Sequence, residues 1–90
     1  MLLVSYDISN DKTRTSFSKF LSKFGHRLQY SLFEINNSKR ILNLIQIEIR
    51  SNFSRRFEET DSIMIFQMSE SCTITKYGYA KHQDEDLVLF

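Results

Sequence analysis

Hydrophobic and polar positions follow two different periods along this chain, and each change of period predicts a new element. Residues 2–8 form a short apolar run, which is typical of a buried strand and too brief for a helix. A stripe of apolar side chains at helical spacing then predicts a first helix: Phe17, Phe20, Leu21 and Phe24. Ser9, Asn10 and Asp11 offer oxygens that can cap its start, and Gly25 is expected to end it.

The region after Gly25 is rich in aromatic and branched residues and predicts strand structure over residues 26–35. Ten residues are long for a single strand. We therefore expect a bend near Tyr30 and Ser31 that splits the region into two strands.

The second half predicts one more helix and further short strands. Apolar residues at helical spacing predict a helix over about 39–52: Ile41, Leu44, Ile45 and Ile49. A buried strand is expected at 63–68, a weak strand at 73–77, and a short apolar end at 87–90.

This element order predicts an α+β fold, a ferredoxin-like βαββαβ sandwich with an additional short C-terminal strand, in a single domain over residues 1–90. Two helices can cover only one face of the sheet. Four side chains of the first strand are assigned to that face: Leu2, Val4, Tyr6 and Ile8. Leu3, Ser5 and Asp7 then lie on the open face, which is a candidate dimer surface because it is partly apolar.

Composition narrows the class of protein. The chain has 90 residues, of which 41% are hydrophobic, with eight Phe and four Tyr. That is much apolar surface for a small core, so part of it is expected to cover a partner chain. We expect neither a membrane span nor a signal peptide. Cys72 is the only cysteine, which fits a reducing, cytoplasmic setting.

The net charge of +1 hides a division along the chain. Residues 10–56 hold ten Lys and Arg against three acids, whereas residues 57–90 hold two Lys against seven acids. A basic half can attract phosphate, and ordinary solvated helix faces are the alternative.

Asp7 ends an apolar strand, where a charge is costly unless something pairs with it. It can cap a helix, lie at a surface edge or hold a cation. Mg²⁺ is often bound by only one or two carboxylates, so two copies of Asp7 across a dimer axis would make a workable site. Arg14 lies in the first turn of the first helix, where a cation is unfavourable, and phosphate binding would explain it.

Three segments resemble the CRISPR-associated Cas2 family: YDIS at residues 6–9, DKTR at 11–14 and GHRLQYSLFE at 25–34. The resemblance is specific over residues 2–34 and only architectural beyond them. Leu28 and Leu32 stand where that family usually has valine.

The resemblance implies a homodimer that bridges Cas1 integrase subunits and binds double-stranded DNA during spacer acquisition. It also implies a metal-dependent endonuclease on RNA or double-stranded DNA, an activity that the biological role can dispense with. Asp7 would be the catalytic residue and the Mg²⁺ ligand shared across the dimer, and residues 82–90 would pack on the partner subunit.

Nucleic-acid contacts are expected from five basic residues: Lys12, Arg14, Lys19, Lys23 and Arg27. Tyr6, Ser9 and Phe33 are expected to support the site. The alternative is a ferredoxin-like RNA-binding or regulatory module without a CRISPR role. It would need exposed aromatic side chains on the open sheet face, and the first strand supplies none there.

Overall fold

The computed structural model describes residues 1–78 and shows a four-stranded antiparallel sheet with two helices. The elements in chain order are β1 (Leu2–Asp7), α1 (Asp11–Ser22), β2 (Gly25–Gln29), β3 (Leu32–Ile35), α2 (Lys39–Ser51), a short 3-10 helix (Phe53–Arg56) and β4 (Ser62–Gln67). The strand order is β2-β3-β1-β4, so the predicted ferredoxin-like α+β arrangement is confirmed. Neither helix of the described residues has the length and apolar character needed to cross a bilayer.

Strand β1 provides the centre of the core. Its predicted inward set, Leu2, Val4, Tyr6 and Ile8, is buried in full. These side chains pack in one cluster with residues from both helices and the 3-10 helix, among them Phe17, Leu21, Ile45 and Phe53. The cross-strand partners of Leu2 and Val4 are Ile35 and Phe33, which share the same face and are also buried. The predicted inward face is therefore confirmed, whereas Leu3, which was assigned to the open face, is only 7% exposed.

The predicted bend in the long strand region is also confirmed. Strand β2 ends at Gln29, β3 begins at Leu32, and Tyr30 and Ser31 form the turn between them. The register shifts between Arg27 and Gln29, which is a bulge in the β2–β3 ladder.

The prediction for Gly25 is wrong. Helix α1 ends at Ser22 and its cap is Lys23 in the right-handed helical conformation, so no glycine terminates it. Gly25 is instead the first residue of β2 and pairs with Ile35. A Cβ at this position would lie 1.9 Å from the carbonyl oxygen of Glu34. The glycine is needed because two backbones approach closely, which a local helix-stop pattern does not reveal.

The weak strand predicted at 73–77 is wrong within the described residues, where this segment joins no ladder. Within the described residues β2 and β4 are edge strands, and high β-propensity alone does not bring this segment into register with either of them. The segment contacts the domain through side chains: Lys76 Nζ donates a hydrogen bond to the Leu28 carbonyl at 3.2 Å. Residues 74–77 also line a cavity of about 500 Å³ with Met1, Leu28 and Glu34. The expected C-terminal strand at 82–90 lies outside the described residues.

Asn10 caps helix α1, and its Oδ1 accepts a hydrogen bond from the Thr13 amide at 3.0 Å. Ser9 is thereby free for a different contact. Its amide and its Oγ donate to Asp61 Oδ1 at 3.0 Å and 2.9 Å, and the Glu58 amide donates to Asp61 Oδ2 at 2.9 Å. We call these contacts the Ser9–Asp61 clasp. It joins the loop after β1 to the segment before β4, next to Asp7.

Replacing Gly25 with Ala should destabilise the fold by at least about 2 kcal/mol, because the added methyl group meets the backbone of β3 rather than a flexible side chain. Gly78→Ala is the control. Gly78 has a φ of 85°, and no atom of residues 1–78 approaches a Cβ placed there, so its cost should be about 1 kcal/mol, from the left-handed backbone alone. Urea unfolding of the two variants measures the difference, and equal losses would contradict this explanation of Gly25.

Replacing Asp61 with Asn should lower the melting temperature near neutral pH, because the amide presents N–H groups where the clasp needs acceptors. The hydrogen bonds from the amides of Glu58 and Ser9 hold the pKa of Asp61 below its ordinary 3.8. The stabilisation is therefore fully present well above pH 3.8 and is lost as the pH falls through the lower pKa of the folded state.

Melting curves recorded from about pH 7 to about pH 2 should show the wild-type and Asp61→Asn proteins converging in acid. Glu59→Gln, an exposed neighbour in the same loop, should follow the wild type throughout. A difference between wild type and Asp61→Asn that stays constant with pH would show that the clasp does not depend on the charge.

Candidate nucleic-acid interface

Two of the predicted basic residues, Arg14 and Arg27, converge on a small cavity of about 60 Å³ on the helix side of the sheet. The other lining residues are Tyr6, Thr15, Ser18 and Tyr30. We call this space the arginine cavity. It collects two guanidinium groups and four hydroxyl groups. The hydroxyl groups of Tyr6 and Ser18 already donate to main-chain carbonyl oxygens, so the guanidinium of Arg27 is the main donor that the cavity offers to an anion.

Arg27 is held over aromatic rings. It pairs with Phe33 across the β2–β3 ladder, and its Cζ lies 5.2 Å from the Phe33 ring centroid and 5.8 Å from that of Tyr30. Phe33 belongs to the buried core, so the guanidinium rests on a rigid surface. Neither ion pair of residues 1–78 includes Arg27. Its N–H groups are therefore oriented without being neutralised by a carboxylate there.

Arg14 has a structural role as well as its place in the cavity wall. Its Nη1 donates to the carbonyl oxygens of Ile8 and Ser9 at 3.1 Å and 3.3 Å, and its Nη2 donates to the carboxylate of Asp11. The hydrogen bond to Asp11 raises the pKa of Arg14 above its ordinary value. Asp11 also offsets the unfavourable position of this cation in the first turn of α1.

Tyr6 closes the inner side of the cavity. The residue is only 5% exposed, and its ring meets Phe17 edge-on with the centroids 5.2 Å apart. Its hydroxyl group donates to the Tyr30 carbonyl at 3.4 Å, which is a long contact for an O–H donor. Burial raises the pKa of Tyr6, so the phenol stays protonated and keeps its donor. Tyr6 and Phe33 thus support the cavity from the core, where neither ring is free to stack on a base.

Asp7 lies at the same strand end as Tyr6 but on the opposite face of the sheet. It is exposed and pairs with Ser62 in the β1–β4 ladder. The helix cap is Asn10, so the capping role considered for Asp7 is excluded. Within residues 1–78 the Asp7 carboxylate takes part in no hydrogen bond or ion pair with another side chain.

The carboxylates near Asp7 show how many metal ligands a single chain can supply at this site. Both oxygens of Asp61 accept hydrogen bonds, and Glu58 Oε1 accepts one from Ser9 Oγ at 3.1 Å. Residues 1–78 contain no group of three or more metal-ligating side chains. Asp7 alone is one free carboxylate, which is half of the pair that commonly holds Mg²⁺ with water and phosphate. A second copy of Asp7 would complete it.

The remaining predicted basic residues are not drawn into the arginine cavity. With the rise of a regular helix, about 1.5 Å per residue, Lys19 and Lys23 lie roughly 8 Å and 14 Å beyond Arg14 along the axis of α1. Lys12 lies instead in a separate cleft with Arg56. Sequence reasoning missed the parts played by Thr15, Ser18 and Arg56. The adjacent pair Arg55-Arg56 indicates positive charge in the sequence, but it does not predict that Arg56 lies beside α1.

The open face of the sheet carries exposed apolar side chains. Met64 and Phe66 on β4 are 55% and 37% exposed, and they pair with Ser5 and Leu3 of β1. The expected partly apolar character of this face is therefore present. Such a patch marks a surface that a partner can cover.

Comparisons with known proteins agree with this fold. The family model described as CRISPR associated protein Cas2 matches residues 1–75. A CRISPR-associated endoribonuclease Cas2 of Methanospirillum hungatei is 32% identical over 79 residues, covering 86% of this chain and 84% of the relative.

Two solved structures share the architecture. A hypothetical protein from Thermus thermophilus aligns with a TM-score of 0.66 at 25% identity, covering 86% of this chain and 90% of that one. Cas2 of Streptococcus pyogenes aligns with a TM-score of 0.63 at 24% identity, covering 78% of this chain and 87% of that one, and shows the likeness of fold. Since the family model covers most of the chain and the curated relative exceeds 30% identity, this chain belongs to the Cas2 family of CRISPR-associated proteins.

Proposed function

We propose that this chain acts in CRISPR adaptation as a homodimer that binds double-stranded DNA by its backbone and bridges Cas1 integrase subunits. Membership of the Cas2 family supports a CRISPR-associated role. The observation that carries the DNA-binding part is the arginine cavity, in which Arg14 and Arg27 converge beside the protonated hydroxyl group of Tyr6. Guanidinium groups match phosphate oxygens in geometry and charge.

The character of the cavity favours phosphate over base recognition. Arg27 lies against the buried ring of Phe33, and the cavity volume of about 60 Å³ suits a small anion rather than a nucleobase stacked between rings. Contacts of this kind position a protein on a duplex without reading sequence. Backbone binding independent of sequence is what a protein that bridges integrase subunits on foreign DNA requires.

The open sheet face supports the dimer. Phe66 and Met64 are exposed apolar side chains there, and a two-fold contact across that face is self-complementary. Asp7 lies at the end of β1 on this same face, so the two copies of Asp7 would face each other near the axis. The arginine cavities, on the helix side, would remain accessible on the outer surfaces of the dimer.

A second candidate function is cleavage of RNA or duplex DNA. The free carboxylate of Asp7 favours it, and the curated relative from Methanospirillum hungatei bears the name endoribonuclease. Paired Asp7 residues would hold Mg²⁺, which when bound supplies an activated water and stabilises charge on a phosphodiester. Because Tyr6 and Asp7 face opposite sides of one strand, DNA binding and cleavage would use different surfaces of the domain.

The alternative of an RNA-binding module without a CRISPR role has less support. Phe66 is one exposed aromatic side chain on the open face of the four strands. Sheets that bind RNA by stacking use aromatics for two or three bases. The family match favours the CRISPR-associated role over this alternative.

Arg27→Gln should weaken binding to every duplex alike and reduce the slope of log affinity against log salt by about 0.9 for each phosphate contact that is lost. Arg27 is a cleaner test than Arg14, because Arg14 also holds the carbonyl groups of Ile8 and Ser9. Arg50→Gln, an exposed cation at the end of α2, is the matched control and should leave the slope unchanged. Equal effects of the two variants, or a strong sequence preference, would contradict the arginine cavity as a phosphate site.

Asp7→Asn should reduce any cleavage of RNA or duplex DNA by about two orders of magnitude or more, because the neutral amide is a poor ligand for Mg²⁺. The fold should persist, since the carboxylate is exposed. Duplex binding should persist as well, because the arginine cavity lies on the other face. Glu70→Gln, which removes another exposed carboxylate, should leave cleavage intact.

Spacer acquisition in cells separates the two candidate functions. If the dimer works as a scaffold, Asp7→Asn retains acquisition while cleavage falls. Loss of acquisition in a variant that melts normally and still binds duplex would show that the role depends on the chemistry at Asp7. Undiminished cleavage would exclude Asp7 as the metal ligand.

A further inference from the structure

A further cavity, of about 410 Å³, lies beside the first turns of α1, and Lys12 is the one lining residue that the sequence analysis selected as a nucleic-acid contact. Its walls are the amino-terminal part of α1 and the 3-10 helix, and it is lined by Asp11, Lys12, Thr15, Ser16 and Arg56. We call it the outer cleft. It brings together side chains from two elements that are far apart in sequence.

The outer cleft carries a cation on each side. Lys12 comes from α1 and Arg56 from the 3-10 helix, and both are exposed. The carboxylate that lines the cleft is Asp11, which already accepts the guanidinium of Arg14. Its negative charge is thereby compensated by a cation outside the cleft, and Lys12 and Arg56 set the sign of the potential inside it.

Arg56 is supported by the core in the same manner as Arg27. Its Cζ lies 5.4 Å from the ring centroid of Phe53, which is buried and meets the Phe17 ring edge-on at 4.9 Å. A guanidinium resting on a fixed ring loses less freedom when it binds a ligand than one on a free side chain. The hydroxyl groups of Thr15 and Ser16 add short donors to the same space.

Thr15 connects the two cavities. It lines the outer cleft with Lys12 and Arg56, and it also lines the arginine cavity with Arg14 and Arg27. The two positively charged spaces therefore adjoin each other across one exposed residue of α1. A ligand with successive negative charges, rather than a single anion, matches this arrangement.

We infer that the outer cleft is a second backbone position for duplex DNA, so that one strand crosses the first turns of α1 from Arg27 to Arg56. This inference rests on the proposed DNA binding and extends it to Lys12, Arg56 and the hydroxyl groups between the cavities. Lys19 and Lys23, farther along α1, lie off this path. The path stays on the helix side and leaves the open face and Asp7 uncovered.

The test measures duplex binding of the full chain by fluorescence anisotropy over a series of salt concentrations. Lys12→Gln and Arg56→Gln should each weaken binding and make the log–log salt slope shallower by about 0.9 for each phosphate contact that is lost. Arg55→Gln is the matched control, because it removes the same charge from the adjacent exposed residue, which does not line the cleft. It should retain the wild-type slope.

Each outcome decides between the proposals. If the wild type fails to bind duplex, the proposed DNA binding is wrong. If Arg27→Gln reduces the slope while Lys12→Gln and Arg56→Gln do not, only the outer cleft is overturned. If Arg55→Gln acts as strongly as Arg56→Gln, binding follows diffuse charge and the cleft is likewise overturned. Melting curves accompany each variant, and Lys12→Gln decides the test if Arg56→Gln disturbs the packing on Phe53.

Discussion

Strand β1 is hydrogen-bonded on both sides, to β3 and to β4, and the packing of the whole domain depends on that central position. The backbone N–H and C=O groups of β1 are hydrogen-bonded to these two neighbouring strands, so only its side chains remain to form the core and the sites. Val4 and Tyr6 are buried under the helices, and the same alternation turns Asp7 to the opposite face. The position of the core and the separation of the two candidate sites therefore follow from one strand.

The cations near the core are arranged so that charge is stabilised without being buried. Full burial of an unpaired guanidinium would be costly. Arg27 and Arg56 avoid that cost by laying the guanidinium against the rings of Phe33 and Phe53, at 5.2 Å and 5.4 Å, with part of each group open to solvent. Groups held in this way by regular elements are better oriented than groups on free loops. The aromatic core thus contributes to the basic surface as well as to stability.

The tertiary structure also rearranges the charge division seen along the chain. The C-terminal third is acidic in sequence, yet Glu58 and Asp61 fold back against Ser9, beside the start of the basic helix. The clasp uses both Asp61 oxygens and leaves Asp7 as the free carboxylate of this corner within residues 1–78. The carboxylate of Asp7 on the open face and the arginine cavity on the helix side place the proposed metal site and the proposed DNA contacts on separate surfaces.

The sequence by itself determined the two helices, the four strands of the sheet, the inward face of β1 and the bend at Tyr30 and Ser31. These features depend on the local spacing of hydrophobic residues and on turn-forming residues, and both can be recognised within a short stretch of sequence. The YDIS segment likewise placed Tyr6 and Asp7 at one strand end, on opposite faces. Only the tertiary structure decided which distant residues meet. Ser9 binds Asp61 across 52 residues, Arg56 joins Lys12 in one cleft, and Gly25 is required by the carbonyl oxygen of Glu34. The spacing of hydrophobic residues indicates which face of a helix or strand is buried. Which other element packs against that face is decided only when the whole chain has folded.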